Sequence, residues 1–297
     1  MGIVIKSSAI CVDPESNSAV ELAARAGEEC MANSGLRREE VDLLIFTGVF
    51  RDDNIVEPAI AALVQKRMGL NTDPVSDGNV IGTTFSFDLI KGRCGFLYAA
   101  KVAQGMIENG RAAHALIVSS DVHPSCKYHP EFPITHSGAA ALLSRTENGR
   151  GFQKIIFNST TDSYTGEIVY VGENEGTKAR KAITIEREKD YILRAGDLAR
   201  KTAKKYVQGE SVNPRNVKLL ITTPHGKSWE KDLSRSLGMN HYTKSVNIYK
   251  KYGDTYSSAL IFGYFHAVRD EKLKEQDEVL FVAAGAGLSS ACCRYIV

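Results

Sequence analysis

A repeated order of helix and strand patterns constrains the fold of this 297-residue chain most strongly. Each half contains, in the same order, an amphipathic helix, an apolar strand, a middle strand, an apolar helix and two further strands. In the first half these patterns cover 19–34, 41–47, 85–89, 94–109, 114–120 and 138–144. In the second half they cover 190–208, 217–223, 245–248, 256–268, 278–284 and 290–297.

The strand patterns are short, continuous apolar runs, which are typical of strands that helices cover on both faces. Strands that alternate with helices indicate an α/β fold. We therefore predict two duplicated halves, one over residues 1–150 and the other over residues 151–297. The helices at 94–109 and 256–268 are apolar on nearly all sides, so we expect them to pack together between two sheets.

Composition excludes several classes of protein. A net charge of +2 is no evidence for a nucleic-acid partner, and no run approaches the about 20 apolar residues that a membrane span needs. The N-terminal residues lack the apolar run of a signal peptide. The six cysteines show no C-x-x-C and no paired framework. We expect a cytoplasmic protein that binds neither nucleic acid nor membranes.

Three reactive side chains lie at corresponding corners of the two halves. Cys94 begins the first apolar helix, where the helix dipole can lower the pKa of a thiol. Asp254 lies just before the second apolar helix, and His225 ends the strand that opens the second half. A glycine corner, Gly285-Ala-Gly, follows the penultimate strand. Sites in such folds form at strand ends and helix starts, so we expect these corners to converge.

Together these residue types suit acyl transfer. A thiolate attacks a thioester and forms an acyl-cysteine, and backbone N–H groups stabilise the oxyanion. A histidine then handles the proton of the second substrate, and a carboxylate orients the ring. Each residue also has an ordinary structural interpretation: Cys94 as a small buried hydrophobe, His225 as a structural histidine and Asp254 as a helix cap.

With these residues in view, the chain resembles the β-ketoacyl-acyl carrier protein synthase III group of the thiolase superfamily over nearly its whole length. Six segments carry the resemblance, in the family's order. They are Phe87-Asp-Leu with Cys94-Gly-Phe-Leu-Tyr-Ala, Leu116-Ile-Val-Ser-Ser-Asp121, Ser137-Gly-Ala-Ala-Ala-Leu-Leu, Pro224-His225, Tyr252-Gly-Asp-Thr-Tyr-Ser-Ser-Ala259 and Gly285-Ala-Gly-Leu-Ser-Ser.

The resemblance implies the five-layered αβαβα thiolase fold, a homodimer and acyl transfer through an acyl-cysteine. It implies Cys94 as the nucleophile, His225 as its partner, and the backbone N–H groups of Cys94 and Ala286 as the oxyanion hole. The acyl donor would be a thioester of an acyl carrier protein or of coenzyme A, and no bound cofactor is expected.

Asp254 departs from the family, which has asparagine there. An ionised aspartate only accepts hydrogen bonds, so it would repel the enolate of a decarboxylative condensation. Beside His225 it should make the imidazole more basic. We therefore favour an acyltransferase that passes the acyl group from Cys94 to an oxygen or nitrogen of a small-molecule acceptor, in specialised metabolism. Two alternatives stay open: a decarboxylative Claisen condensation, and a non-catalytic partner subunit of a condensing enzyme.

Four further residues are candidates for substrate binding. Lys227 and Trp229 follow the histidine motif, and His136 lies in a loop that approaches the active-site mouth in the family. In the family, the loop that corresponds to Glu57 lines the acyl pocket of the partner subunit. An unpaired carboxylate buried there would be unfavourable, so we expect a short or polar acyl group. Arg51 could instead pair with Glu57.

Two other patterns do not alter this interpretation. Gly285-x-Gly-x-x-Ala imitates a dinucleotide fingerprint, but too few residues follow it to complete the unit. A loop with three histidines and a cysteine imitates a zinc site, and we expect no metal there. That loop contains His123, Cys126, His129 and His136.

Overall fold

A computed structural model describes residues 2–13, 18–72, 75–76, 79–80, 82–160, 166–171, 180–225, 228–239, 248–285 and 287–297. The strands are β1 (Gly2–Cys11), β2 (Leu43–Phe46), β3 (Val75–Ser76), β4 (Asn79–Val80), β5 (Phe85–Asp88), β6 (His114–Asp121), β7 (Ser137–Thr146), β8 (Gly151–Ser159), β9 (Glu167–Tyr170), β10 (Thr184–Arg187), β11 (Val217–Thr222), β12 (Glu278–Gly285) and β13 (Ser289–Ile296). The helices are α1 (Ala19–Ser34), α2 (Ile60–Met68), α3 (Gly95–Glu108), α4 (Tyr191–Gly209), α5 (Trp229–Ser236), α6 (Ile248–Tyr252) and α7 (Ala259–Arg269).

Two mixed sheets organise the described residues. The first has the order β1-β7-β6-β2-β5, and the second has the order β11-β12-β13-β8. In the first sheet β2 is parallel to β5 and β6, and β7 is antiparallel to both β6 and β1. In the second, β11 is parallel to β12, and β13 is antiparallel to β12 and β8. The boundary between the two halves at residue 150 stays a prediction.

The sheets and helices form five layers. Helices α1 and α2 cover the outer face of the first sheet. Helices α3 and α7 lie between the two sheets, in a core to which both sheets contribute. Helices α4 and α5 cover the outer face of the second sheet. The apolar character of α3 and α7 therefore has the predicted cause, since each is buried from both sides.

Some local structure differs from the sequence-based expectation. The predicted strand at 245–248 falls mostly outside the described residues, and Ile248 begins α6 instead. Strands β9 and β10 pair within a region to which the sequence analysis assigned no strand. Among the described residues, none of the helices is long and apolar enough to cross a membrane.

Candidate functional site

Two short helical turns bring the predicted site residues together. A 3-10 turn at Gly92–Cys94 leads into α3, and another at Tyr256–Ser258 leads into α7. Gly92 (φ 49°) and Gly253 (φ 76°) have left-handed backbone conformations that favour glycine. A Cβ at Gly253 would also lie 2.8 Å from Thr135 Oγ1. These glycines let the chain turn sharply just before each central helix.

Arg93, which the sequence analysis did not single out, binds Asp254 through two hydrogen bonds. Its Nη1 donates to Oδ1 at 2.6 Å, and its Nη2 donates to Oδ2 at 2.5 Å. The backbone N–H of Tyr256 donates to Oδ1 at 3.1 Å. The two side chains are only 4% and 10% exposed. Both carboxylate oxygens are therefore used by a buried, fork-shaped cation.

The electrostatics of this pair favour two charged partners. Burial alone would raise the pKa of Asp254, but the charge and hydrogen bonds of Arg93 hold it below its usual value. Burial opposes the charge of Arg93, yet the Asp254 carboxylate raises the pKa of the guanidinium well above normal. The pair is thus an ion pair at physiological pH.

The ion pair continues into a chain of buried polar groups. The Arg93 guanidinium lies 4.5 Å from the centre of the Tyr256 ring, in a cation–π contact. The Tyr256 hydroxyl donates to Glu167 Oε1 at 2.8 Å, and Arg187 Nε donates to Glu167 Oε2 at 2.5 Å. The Glu167 side chain is fully buried. Strand β9 therefore supplies a carboxylate that sequence analysis missed.

His225 follows β11, which ends at Thr222, and it lies next to this pair but is hydrogen-bonded elsewhere. Its Nε2 lies 3.2 Å from Thr223 Oγ1, and its ring meets the Trp229 ring edge-on at 5.2 Å. Burial, and then the charge of Arg93, lowers the pKa of His225 to about 3, while Asp254 raises it less. Asp254 therefore acts in the expected direction and makes the imidazole more basic, but burial and the charge of Arg93 outweigh its effect.

The Cys94 side chain lies in the core between the sheets. Its Sγ is fully buried and donates to the Ser289 carbonyl oxygen at 3.5 Å. Among the hydrogen bonds of the described residues, none joins Cys94 to His225 or Asp254. Burial raises the pKa of the thiol to about 12, although the charges of Lys91 and Arg93 act in the opposite direction. The pKa lowering expected from the helix start is therefore overcome by desolvation.

The predicted oxyanion hole is only partly described. The backbone N–H of Cys94 already donates to the Lys91 carbonyl oxygen at 3.1 Å, within the 3-10 turn. Ala286 lies outside the described residues. A Cβ built on the neighbouring Gly285 would lie 3.1 Å from Arg93 Cβ. The residue that faces the glycine corner is thus Arg93.

The predicted substrate-binding residues are dispersed. Glu57 is exposed, and Arg51 pairs with Asp88 at 2.7 Å instead of with Glu57. Trp229 is buried and donates from Nε1 to Thr222 Oγ1 at 3.1 Å, so it supports the wall behind His225. Lys227 lies outside the described residues.

His136 lines a cleft that reaches the ion pair. The cleft has a volume of about 420 Å³, and Thr135, Gly253 and Asp254 also line it. His136 Nε2 accepts the backbone N–H of His123 at 2.9 Å. The described residues contain no cluster of three or more metal-ligating side chains, and His123 stacks on His129 at 3.7 Å.

Comparisons with known proteins agree on one group. The family model for the 3-oxoacyl-[acyl-carrier-protein] synthase III C-terminal region matches residues 207–295. The β-ketoacyl-[acyl-carrier-protein] synthase III of Koribacter versatilis is 26% identical, over 92% of this chain and 81% of the relative. The corresponding synthase of Aliarcobacter butzleri is 26% identical, over 96% of this chain and 84% of the relative.

Solved structures extend the similarity to the whole chain. The 3-oxoacyl-[acyl-carrier-protein] synthase III of Aquifex aeolicus superposes with a TM-score of 0.81 at 18% identity, and each chain is fully covered. FabH of Pseudomonas aeruginosa gives a TM-score of 0.82 at 17% identity, covering 100% of this chain and 98% of FabH. Xanthomonas campestris OleA, solved with lauric acid and lauroyl-CoA, gives 0.81 at 15% identity, covering 100% and 99%.

These comparisons confirm the thiolase fold and the resemblance on which the sequence analysis relied. The relatives are named as synthases III, and this chain shares the fold of the solved ones over its whole length. The chain is therefore similar to the β-ketoacyl-[acyl-carrier-protein] synthases III over most of its length and has the fold of their solved structures.

Proposed function

We propose that this chain acts as a non-catalytic partner subunit of a condensing enzyme and forms no acyl-cysteine of its own. The observation that carries the proposal is the bidentate ion pair between Arg93 and Asp254, beside His225. This pair fills the corner where the family resemblance implies a nucleophile and its helpers.

The state of the Cys94 thiol supports the absence of an acyl-cysteine. With a pKa of about 12, roughly one thiol in 10⁵ is ionised at pH 7. Only the thiolate attacks a thioester, and the Cys94 sulfur also lies in the core between the sheets. A covalent intermediate at Cys94 would need both deprotonation of the thiol and a large movement of the turn at Gly92–Cys94.

The remaining groups are poorly matched to acid–base catalysis. A general base works best when its pKa lies near the operating pH, and His225 has a pKa of about 3. Asp254 is occupied by Arg93 on both oxygens and so makes no hydrogen bond to the ring. A partner subunit needs the fold that it shares with an active synthase, but it does not need the reactive groups.

An exposed edge of the first sheet suits assembly with a second thiolase-fold chain. Among the described residues β5 pairs only with β2; Phe85 at its start is 61% exposed, and Ile90, just beyond its end, is 57% exposed. Unpaired edge strands with apolar side chains favour pairing with another chain. We propose dimerisation through this edge, with a second copy or with an active synthase.

The thioester substrate of such an assembly would be held on an acyl carrier protein or coenzyme A. Lys201, Lys204 and Lys205 are exposed on α4 and form a basic surface. Acidic carrier proteins suit such a surface. The synthase III names of the relatives support a carrier-protein thioester as the substrate class.

Intact-mass analysis tests the proposal. The wild-type protein and Cys94→Ala are incubated with acetyl, malonyl, hexanoyl and octanoyl thioesters of coenzyme A and of the carrier protein. We expect no acyl mass on either protein. We also expect native mass spectrometry with the condensing synthase of the same organism to show a one-to-one complex. An acyl mass on the wild type that Cys94→Ala lacks would contradict the proposal.

Acyl transfer through Cys94 to an oxygen or nitrogen nucleophile is the second candidate. The observation in its favour is that the charges of Lys91 and Arg93 both lower the pKa of the thiol, against the effect of burial. If this candidate is right, the acylated protein will release an ester or an amide when hydroxyl and amine acceptors are added. Carbon dioxide release with chain extension would instead indicate condensation.

A further inference from the structure

We propose that residue 93, and not residue 94, occupies the position of the attacking nucleophile, and that Arg93 and Asp254 form a matched pair that closes this position. The inference rests on the proposed function and identifies how the site lost its covalent chemistry. The sequence analysis assigned the nucleophile to Cys94, one residue later.

The backbone directs position 93 toward every other corner of the site. Its side chain meets Asp254, and its Cβ lies 3.1 Å from where a Cβ at Gly285 would be. The charge at position 93 is also one of the largest influences on His225. By contrast, the Cys94 side chain contacts the Ser289 carbonyl oxygen and the central core.

The two residues of the pair depend on each other. A buried carboxylate or guanidinium without a partner is strongly unfavourable, whereas the bidentate pair satisfies both charges. Arg93 Nε, however, is buried and has no hydrogen-bond partner among the described residues. In the described part of the chain, only the edge of the guanidinium that faces Asp254 therefore has hydrogen-bond acceptors. Arg93 is held there by its carboxylate partner and not by hydrogen bonds to other groups around it.

A neutral pair at these positions should reopen the site. The test protein carries Arg93→Cys and Asp254→Asn in a Cys94→Ala background. The sulfur introduced at position 93 would bond to the thioester carbonyl carbon, and the bond from that carbon to the pantetheine sulfur would break. The pantetheine sulfur would take up the proton that the introduced thiol releases, so that one thioester replaces another.

The measurement is intact mass and peptide mapping after incubation with coenzyme A thioesters and with millimolar N-acetylcysteamine thioesters. We expect a gain equal to one acyl group, located at position 93. The matched control, with Arg93→Ala in place of Arg93→Cys and the other two changes kept, should gain none. Thermal unfolding and circular dichroism show whether each protein is folded.

A folded test protein that no thioester modifies would overturn the inference, while an unmodified wild type would leave the proposed function intact. A wild type acylated at Cys94 would overturn the proposed function separately. If the triple variant does not fold, the same measurement is made on Arg93→Cys/Asp254→Asn with Cys94 retained. Acylation at position 93 then supports the inference, and acylation at Cys94 or at neither overturns it.

Discussion

Arg93 lies close enough to Asp254 and His225 to set the charge of both. Its guanidinium holds the carboxylate ionised and, after burial, is the strongest influence that keeps the imidazole neutral. At the scale of single residues, the protonation states of Asp254 and His225 therefore depend more on the neighbouring charge of Arg93 than on their own residue types. Aspartate at position 254, where the resemblance implies asparagine, is explained by this cation, which needs a carboxylate partner.

Breaking the ion pair from one side should destabilise the protein. We expect Arg93→Met and Asp254→Leu each to lower the unfolding free energy by about 3–5 kcal/mol, because each leaves an uncompensated buried charge. The double variant should be more stable than either single variant. Urea unfolding measures all three, and Arg145→Ala on the exposed pair with Glu147 should change stability by about 0–1 kcal/mol. Additive losses in the double variant would show that the pair is not coupled.

The buried imidazole should make stability depend on pH. The pKa of His225 is about 3 in the folded protein and 6.5 in the unfolded chain, so the folded state binds fewer protons between these values. The unfolding free energy should therefore fall as the pH is lowered from 6.5 toward 3, by up to about 1.4 kcal/mol per pH unit from this group. His225→Gln should remove that part of the slope in urea unfolding measured from pH 6.5 to 4. Equal slopes in both proteins would contradict the depressed pKa.

The sequence predicted which corners meet but not which side chain faces them. His225 and Asp254 come to one place because the repeat fixes the strand end and the helix start that carry them. Whether residue 93 or 94 faces that place depends on a single 3-10 turn at Gly92, which apolar periodicity does not encode. A signal was present: an arginine beside an apolar helix, together with an aspartate at the matching corner, can be interpreted as a buried ion pair.

At the scale of elements, strongly apolar segments were predictable and polar ones were not. The observed bounds of α1 coincide with the predicted segment 19–34, and β12 differs from its prediction by one residue. Strands β9 and β10 are only four residues long and mostly exposed, so the short apolar run at 168–170 was not assigned to a strand. Glu167, at the start of β9, was missed for the same reason.

Close packing between α7 and β11 should make one glycine intolerant of alanine. A Cβ at Gly263 would lie 2.5 Å from Ile221 Cγ2, whereas a Cβ at Gly105 on α3 would meet nothing within 4 Å. We expect Gly263→Ala to lower the unfolding free energy by about 1–3 kcal/mol through overpacking. Gly105→Ala, the matched control, should raise it by about 0.5–1 kcal/mol. Thermal unfolding distinguishes them, and a stabilised Gly263→Ala would contradict the observed packing.

At the scale of the whole molecule, the two sheets enclose α3 and α7 and place both turns of the site at the centre. This arrangement was predictable from the repeat, because two helices that are apolar on all sides need a cover on both faces. The edge position of β5 was not predictable, since the order of strands in a sheet depends on pairing between distant segments.

The exposed edge at β5 should carry the dimer contact. We expect the wild type to be dimeric, and Phe85→Lys with Ile90→Lys to shift it to a monomer, because charges on and just beyond an edge strand oppose pairing. Light scattering after gel filtration measures the mass. Leu193→Lys is the matched control: Leu193 is 71% exposed on α4, over the other sheet, and its change should leave the dimer intact. If the variant with Phe85→Lys and Ile90→Lys is still a dimer, the dimer contact lies elsewhere.

Alkylation of Cys94 in the native protein tests most directly whether its thiol belongs to the core. The protein is treated with iodoacetamide at pH 8, before and after unfolding in urea, and the Cys94 peptide is quantified by mass spectrometry. A thiol with a pKa of about 12 should be unlabelled in the folded protein and labelled in the unfolded one. Labelling of folded Cys94 as fast as that of an ordinary free thiol would show an accessible, activated nucleophile and contradict this account.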